Sequence, residues 1–161
     1  MARRPTYQTG KHRAAAARIA ARLKVLKGLL SIEEMDFGEP ITHRARERGG
    51  NVAIKIKHIS CPIALTDRDD GMFFEVPKWN KVVRHCRLHR IPFWFVVQDS
   101  DSRLWLYDGL ACGFEHDGIK PNKGRDDRGD PKDRTNCVTL LSNRFEELTN
   151  APQQSRATLF D

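Results

Sequence analysis

The sequence lacks any long apolar run. No stretch of its 161 residues approaches the ~20 apolar residues needed to cross a bilayer. The N-terminus, MARRPTYQTGKHR, is basic and polar, and the apolar core of a secretory signal does not follow it. These absences predict a cytoplasmic protein that does not insert into a membrane.

Cysteine is scarce and widely spaced. Cys61, Cys86, Cys112 and Cys137 lie about 25 residues apart without a CxxC or CxxH pair, which argues against a structural zinc site. We expect reduced, mostly buried thiols. A disulfide between Cys112 and Cys137 would require an oxidising compartment.

Several motifs of catalytic sites are also missing. The chain has no Gly-rich phosphate loop, no Gly-x-Ser-x-Gly elbow and no internal repeat. His85 and His89 stand four residues apart in a predicted helix and could hold a metal together, but no third ligand is evident. The sequence therefore offers no nucleotide-binding or serine-hydrolase signature.

Positive charge is abundant and unevenly distributed. The first 60 residues hold 13 of the 28 Lys and Arg and only 5 of the 21 Asp and Glu, which leaves 15 basic and 16 acidic residues for the remainder. The whole excess behind the net charge of +7 thus lies in the first part of the chain. Such asymmetry favours a polyanionic partner, nucleic acid before membrane, over a solvated basic tail.

The length predicts a single domain with a modest core. We expect a flexible basic arm over residues 1–12, one domain over 13–150 and a mobile tail over 151–161. Within the domain, residues 113–136 form a polar loop rich in glycine and proline, long enough to be functional or disordered.

Strand periodicity is clearest in GGNVAIKIKHIS, residues 49–60. Val52, Ile54 and Ile56 share one face, and Lys55 and Lys57 share the other. This pattern raises the question of whether the two lysines face water, an acidic segment of the chain or phosphate. Pairing with Glu33, Glu34 or Asp36 across the sheet is the simplest alternative to phosphate binding.

The remaining periodicity predicts an α+β (mixed α/β) fold with a single central mixed β-sheet flanked by helices. A basic, alanine-rich helix spans residues 12–30 and a second helix spans 78–90. The other elements follow from short patterns: a basic hairpin turn at THRARERGG, a buried central strand at PFWFVVQD, a returning edge strand at LWLYDG, and a last strand entering a short helix at NCVTLLSNRFEEL.

This layout resembles the PD-(D/E)XK, restriction-endonuclease-like superfamily, and within it the Holliday-junction-resolvase-like branch. The resemblance runs from about Ala14 to Leu148. It covers the leading helix, the hairpin ending in VAIKIKHIS, the strand–helix–strand unit FFEVPKWNKVVRHCRLHRIPFWFVVQD and the closing strands. It implies a restriction-endonuclease-like fold, Mg²⁺-dependent hydrolysis of DNA phosphodiesters and action as a homodimer.

The catalytic signature of that family departs from its usual form here. Lys57 matches the signature lysine, but Lys55 stands where an acid is expected. One alternative places the site in DDGMFFEVPK, with Asp70 and Glu75 as metal ligands and Lys78 as the lysine. A second brings Glu34 or Asp36 to Lys57 from a neighbouring strand. A third is that the usual metal site is absent.

The sequence thus predicts a nucleic-acid-binding protein, with DNA favoured over RNA. It would be a metal-dependent endonuclease, a junction resolvase or a degenerate relative. The alternative is a non-catalytic phage or mobile-element accessory protein. Seven candidates for nucleic-acid binding are expected to form one continuous surface: Arg18, Arg22, Arg44, Arg46, Arg48, Lys55 and Lys57. The candidates for catalysis are Glu75, Lys78 and Lys57.

The C-terminal tail contains a short pattern of its own. Its residues from Gln154 to Phe160 resemble the peptides that dock into a sliding clamp, although a frayed terminus is the simpler reading. The pattern suggests a clamp as a second partner.

Overall fold

A computed structural model of the chain describes residues 10–36, 40–121 and 135–149. These residues form two α-helices, nine β-strands and two 3₁₀ helices. In chain order the helices and strands are α1 (Gly10–Lys27), β1 (Ser31–Glu34), β2 (His43–Glu47), β3 (Gly50–His58), β4 (Met72–Glu75), α2 (Val76–His89), β5 (Phe93–Gln98), β6 (Leu104–Asp108), β7 (Ile119–Pro121), β8 (Asn136–Leu140) and β9 (Glu146–Leu148); the 3₁₀ helices are Ile63–Asp69 and Ser142–Arg144.

The strands form two sheets. The large sheet has the order β1-β2-β3-β5-β6-β9, and the small sheet has the order β4-β8-β7. All neighbours in the large sheet are antiparallel except β3 and β5, which run parallel. A parallel pair needs a long crossover, and β4 and α2 lie in the connection between these two strands. The prediction of an α+β fold with a mixed central sheet is confirmed, and the small sheet is an addition to it.

Helix α1 covers one face of the large sheet. Ile19 and Leu23 are buried against Val52, Ile54 and Trp94 in one hydrophobic cluster. The helix ends at Gly28, whose φ of +62° suits glycine. The helix was predicted to reach residue 30, but α1 ends at Lys27 and Leu30 is exposed.

Strand β5 is buried throughout its length from Phe93 to Val97, as the apolar run predicted. Its second face meets α2 and the small sheet, where Trp79 packs edge-on against Phe74 and Phe93 with ring centroids 5.5 and 6.4 Å apart. Strand β3 lies beside β5 with the expected alternation, because Val52 and Ile54 face α1 while Ala53 joins the cluster around Trp79. The two sides of the sheet therefore have different cores.

Four local predictions are wrong. THRARERGG is a strand, β2, and only Arg48 and Gly49 form the turn. LWLYDG is not an edge strand, because β9 pairs with it on the outside. The segment after β8 continues through a 3₁₀ helix into β9 rather than an α-helix. The start of the predicted 113–136 loop contains β7, the edge of the small sheet.

Other expectations concern residues outside the described ranges. These are most of the N-terminal arm, residues 122–134 of the predicted loop, and the 151–161 tail with its clamp-like peptide. All four cysteines are free thiols, with Cys86 and Cys137 buried and Cys61 and Cys112 half-buried.

Candidate nucleic-acid interface

The face of the large sheet opposite α1 carries a row of cations on β2 and β3. Because side chains alternate along a strand, Arg44, Arg46, Lys55 and Lys57 point away from Val52, Ile54 and Ile56. The register places Arg44 beside Ala53, two residues before Lys55. Arg44, Arg46 and Lys57 are exposed and Lys55 is half-buried. We call Arg44, Arg46, Lys55 and Lys57 the basic sheet face.

The edge of this face contains a depression of about 370 Å³. It is lined by Ser31, Glu33, Arg44, Arg46 and Asn51. Glu33 lies 3.5 Å from Arg44, an exposed ion pair worth little in water. The depression therefore offers both charge and hydrogen-bonding groups to an incoming ligand.

A third lysine reaches the basic sheet face from α2. Lys78 lies in the first turn of this helix. Its charge and that of Lys57 both lower the pKa of Lys55. Lys55, Lys57 and Lys78 form what we call the lysine cluster. The connection from β4 to α2 brings this cluster together, because it places the start of α2 near the C-terminal half of β3, which carries Lys55 and Lys57.

Glu75 is the one acidic group, among the described residues, whose charge raises the pKa of Lys55. It is the N-cap residue of α2, follows β4 directly, and lies 3.6 Å from Lys78. Pro77 occupies the first turn of α2, where a missing N–H costs nothing. The predicted trio Glu75, Lys78 and Lys57 is thus brought into one neighbourhood.

Burial and neighbouring positive charge disfavour the charged form of Lys55. Burial lowers its pKa most, the charges of Lys78 and Lys57 lower it further, and Glu75 opposes them; the result is a pKa of about 8. Nearby Cys137 has its pKa raised by burial and by Glu75, and the charge of Lys57 opposes this rise. Among the described residues, three lysines therefore meet one carboxylate around Lys55.

The two predicted metal ligands have different partners in the structure. Asp70 precedes β4, whereas Glu75 ends it and lies 3.6 Å from Lys78. Asp70 is paired instead with Lys120 at 2.7 Å, and residues 10–36, 40–121 and 135–149 contain no group of three potential metal ligands.

The alternative acids are also placed elsewhere. Glu34 pairs with Arg13 of α1 at 2.9 Å, on the far side of the sheet from Lys57. Asp36 follows β1, which is two strands away from β3. Glu34 is therefore directed away from Lys57, and we derive no hydrolytic step through a metal.

The expectation of one continuous basic surface is wrong. Arg18 and Arg22 belong to α1, which packs on the face of the sheet opposite the basic sheet face. Arg22 donates hydrogen bonds to Gln98 Oε1 at 3.0 Å and to the Ser102 carbonyl at 2.8 Å, which ties α1 to the turn after β5. Arg48 lies at the tip of the hairpin. Cations close in sequence are thus divided between two sides of the molecule.

In comparisons with known proteins, no protein-family model and no curated protein matches the chain. Among the described residues, neither helix has the length and apolar character required to cross a membrane.

Proposed function

We propose that the protein binds nucleic acid by holding backbone phosphates against the basic sheet face and the lysine cluster. The observation that carries this proposal is the environment of Lys55. It is a half-buried lysine between two further lysines, with Glu75 as the opposing carboxylate. A phosphate group would add negative charge beside Lys55, where Glu75 is the opposing carboxylate among the described residues.

The charge balance of the site supports a polyanion. Among the described residues, the site contains two acids, Glu33 and Glu75, and five cations: Arg44, Arg46, Lys55, Lys57 and Lys78. Each phosphate neutralised releases counterions, so the observed binding constant should fall steeply with salt, with a slope near −0.9 per contact on duplex DNA.

DNA is the proposed ligand because the order of elements resembles the resolvase-like nucleases. The helix, hairpin, crossover helix and parallel strand follow in the order which that resemblance implies. Cleavage, magnesium dependence and a homodimer remain predictions of the resemblance. The alternative is a binding protein without catalysis.

Binding is tested by titrating labelled duplex, four-way-junction and single-stranded DNA, and RNA of the same sequence, over a range of salt concentrations. We expect binding that weakens linearly with the logarithm of salt concentration, and tighter binding to DNA. Absent binding, or binding insensitive to salt, would overturn the proposal.

Catalysis is tested by incubating the same substrates with Mg²⁺ or Mn²⁺. Intact DNA supports a binding protein. If cleavage occurs, Glu75→Ala and Asp70→Ala variants distinguish the sites: loss of cleavage in either places the chemistry at β4, and survival in both places it elsewhere.

A further inference from the structure

Helix α2 carries basic side chains and no acid along its exposed surface. Its sequence from Val76 to His89 contains two lysines, two arginines and two histidines and no acid. A helix whose outer surface serves only solubility usually mixes both signs. The buried residues Trp79, Val82 and Cys86 fix which side faces the core, so the direction of the remaining side chains follows from helical geometry.

One row of these side chains begins at the lysine cluster. Lys78, Lys81, His85 and His89 are spaced by three, four and four residues, the spacing of a single helix face. All four are exposed. The rings of His85 and His89 lie with centroids 4.7 Å apart, as expected for side chains on one side of the helix. We call these four residues the α2 stripe.

The α2 stripe continues the phosphate site rather than forming a separate one. Its first member, Lys78, is also a member of the lysine cluster, and its charge is felt by Lys55. From there the stripe extends eleven residues, or ~16 Å at 1.5 Å per residue. That length corresponds to roughly five nucleotides of one strand at 3.4 Å each.

Arg87, a cation of α2 outside the stripe, is engaged by the protein itself. Arg87 donates to the Gly113 carbonyl at 3.1 Å and lies 5.4 Å from the centre of the Phe114 ring, so it helps to hold the segment after β6. Lys81, by contrast, makes no ion pair with any residue in the described ranges. Its charge is available to a partner.

We infer that the α2 stripe is a second binding track, which holds the backbone of the same nucleic acid where it leaves the lysine cluster and lengthens the site by about five nucleotides. This inference rests on the proposed function. It specifies a ligand long enough to span both the basic sheet face and α2, rather than a single phosphate group or a mononucleotide.

The test compares DNA length with substitution of the stripe. Affinities for duplexes of roughly 8 and 16 base pairs, chosen from the rise per nucleotide, are measured for the wild type, for Lys81→Ala/His85→Ala/His89→Ala, and for Arg18→Ala/Lys24→Ala on α1 as the control. Circular dichroism checks that each variant is folded. If the triple variant does not fold, the single Lys81→Ala variant is measured in its place.

We expect the wild type to bind the longer duplex more tightly, by on the order of tenfold beyond the statistical gain in sites. The stripe variants should lose this advantage while keeping the affinity for the short duplex, and the α1 control should keep both. An unchanged length advantage in the stripe variants overturns the α2 track alone, whereas no binding by the wild type overturns the proposed function as well. Equal competition by polyglutamate would assign the stripe to an acidic polypeptide and also overturn the inference.

Discussion

Lys55 is the residue on which the proposed site depends most. Its position on β3 follows from simple alternation, but its environment is supplied by α2, through Lys78 and Glu75. Because burial and neighbouring lysines lower its pKa to about 8, the free protein releases this proton more readily than an exposed lysine does. A bound phosphate favours the charged form and reverses that effect.

This coupling predicts a pH dependence of binding. Between the pKa of about 8 in the free protein and the higher value in the complex, binding takes up a proton, so affinity should be full below pH 8 and fall as the pH rises, by up to about tenfold per unit. Titrations from pH 6.5 to 9.5, the interval that brackets this pKa, measure it.

Lys55→Arg is the matched control, because a guanidinium stays charged over this interval. Its affinity should vary less with pH than that of the wild type. Equal pH profiles for the two proteins would contradict the role given to Lys55.

Asp99 is a second residue whose environment predicts a measurable effect, here on the stability of the fold. It is 2% exposed, and it accepts hydrogen bonds from the backbone N–H groups of Ile63, Asp101 and Arg103 and from Nε1 of Trp105, at 3.0 to 3.3 Å. Burial alone would raise its pKa, but these four donors outweigh burial and lower it. The carboxylate therefore organises the turn between β5 and β6.

We predict that Asp99→Asn lowers the free energy of unfolding by about 1–3 kcal/mol at pH 7, since the amide cannot accept all four bonds. Because the folded-state pKa is lowered, the advantage of the carboxylate is fully present above its unfolded pKa of about 3.9 and is lost as the pH falls from there through the folded-state pKa. Urea unfolding at pH 7 and pH 3 measures both effects. Exposed Asp101→Asn should change stability by less than about 0.5 kcal/mol; a similar loss in both variants would contradict this account.

At the scale of elements, the approach of β4 to β8 depends on Gly71. Its φ is +92°, and an added Cβ would strike the carbonyl of Leu140. β4 leads directly into Glu75 and α2, so this contact also sets the position of the lysine cluster.

We predict that Gly71→Ala destabilises the protein by more than about 2 kcal/mol, through both conformational strain and the clash. Gly113 also has a positive φ, +70°, but open space around it, so Gly113→Ala should cost only about 1 kcal/mol. Thermal or urea unfolding of the two variants tests the difference. Equal losses would show that the contact with Leu140 is unimportant.

The elements that sequence reasoning found are those with an apolar period. β3 and β5 were predicted because their alternation or continuous apolar run is set by burial. β2, β7 and β9 were missed because short strands near sheet edges carry charged or exposed residues and have little such pattern. Arg44 and Arg46 therefore were placed in a turn, although they lie on a strand of the candidate site.

At the scale of the whole molecule, the distribution of charge was only partly predictable. The sequence showed that Lys55 and Lys57 share a face and that α1 is basic, but not which side of the sheet α1 covers. That side is set by how α1 packs on Val52, Ile54 and Trp94. Packing on this side places Arg18 and Arg22 away from the lysine cluster, while the crossover from β3 to β5 adds Lys78 to it.

The most direct measurement of the central claim compares two double variants that remove equal charge from opposite faces. Lys55→Ala/Lys57→Ala alters the lysine cluster, and Arg18→Ala/Lys24→Ala alters the exposed surface of α1. DNA affinity at several salt concentrations should fall at least about tenfold for the first, with the salt slope reduced by about 2, and change little for the second. Equal losses in the two variants, or a larger loss from α1, would contradict a binding site on the basic sheet face.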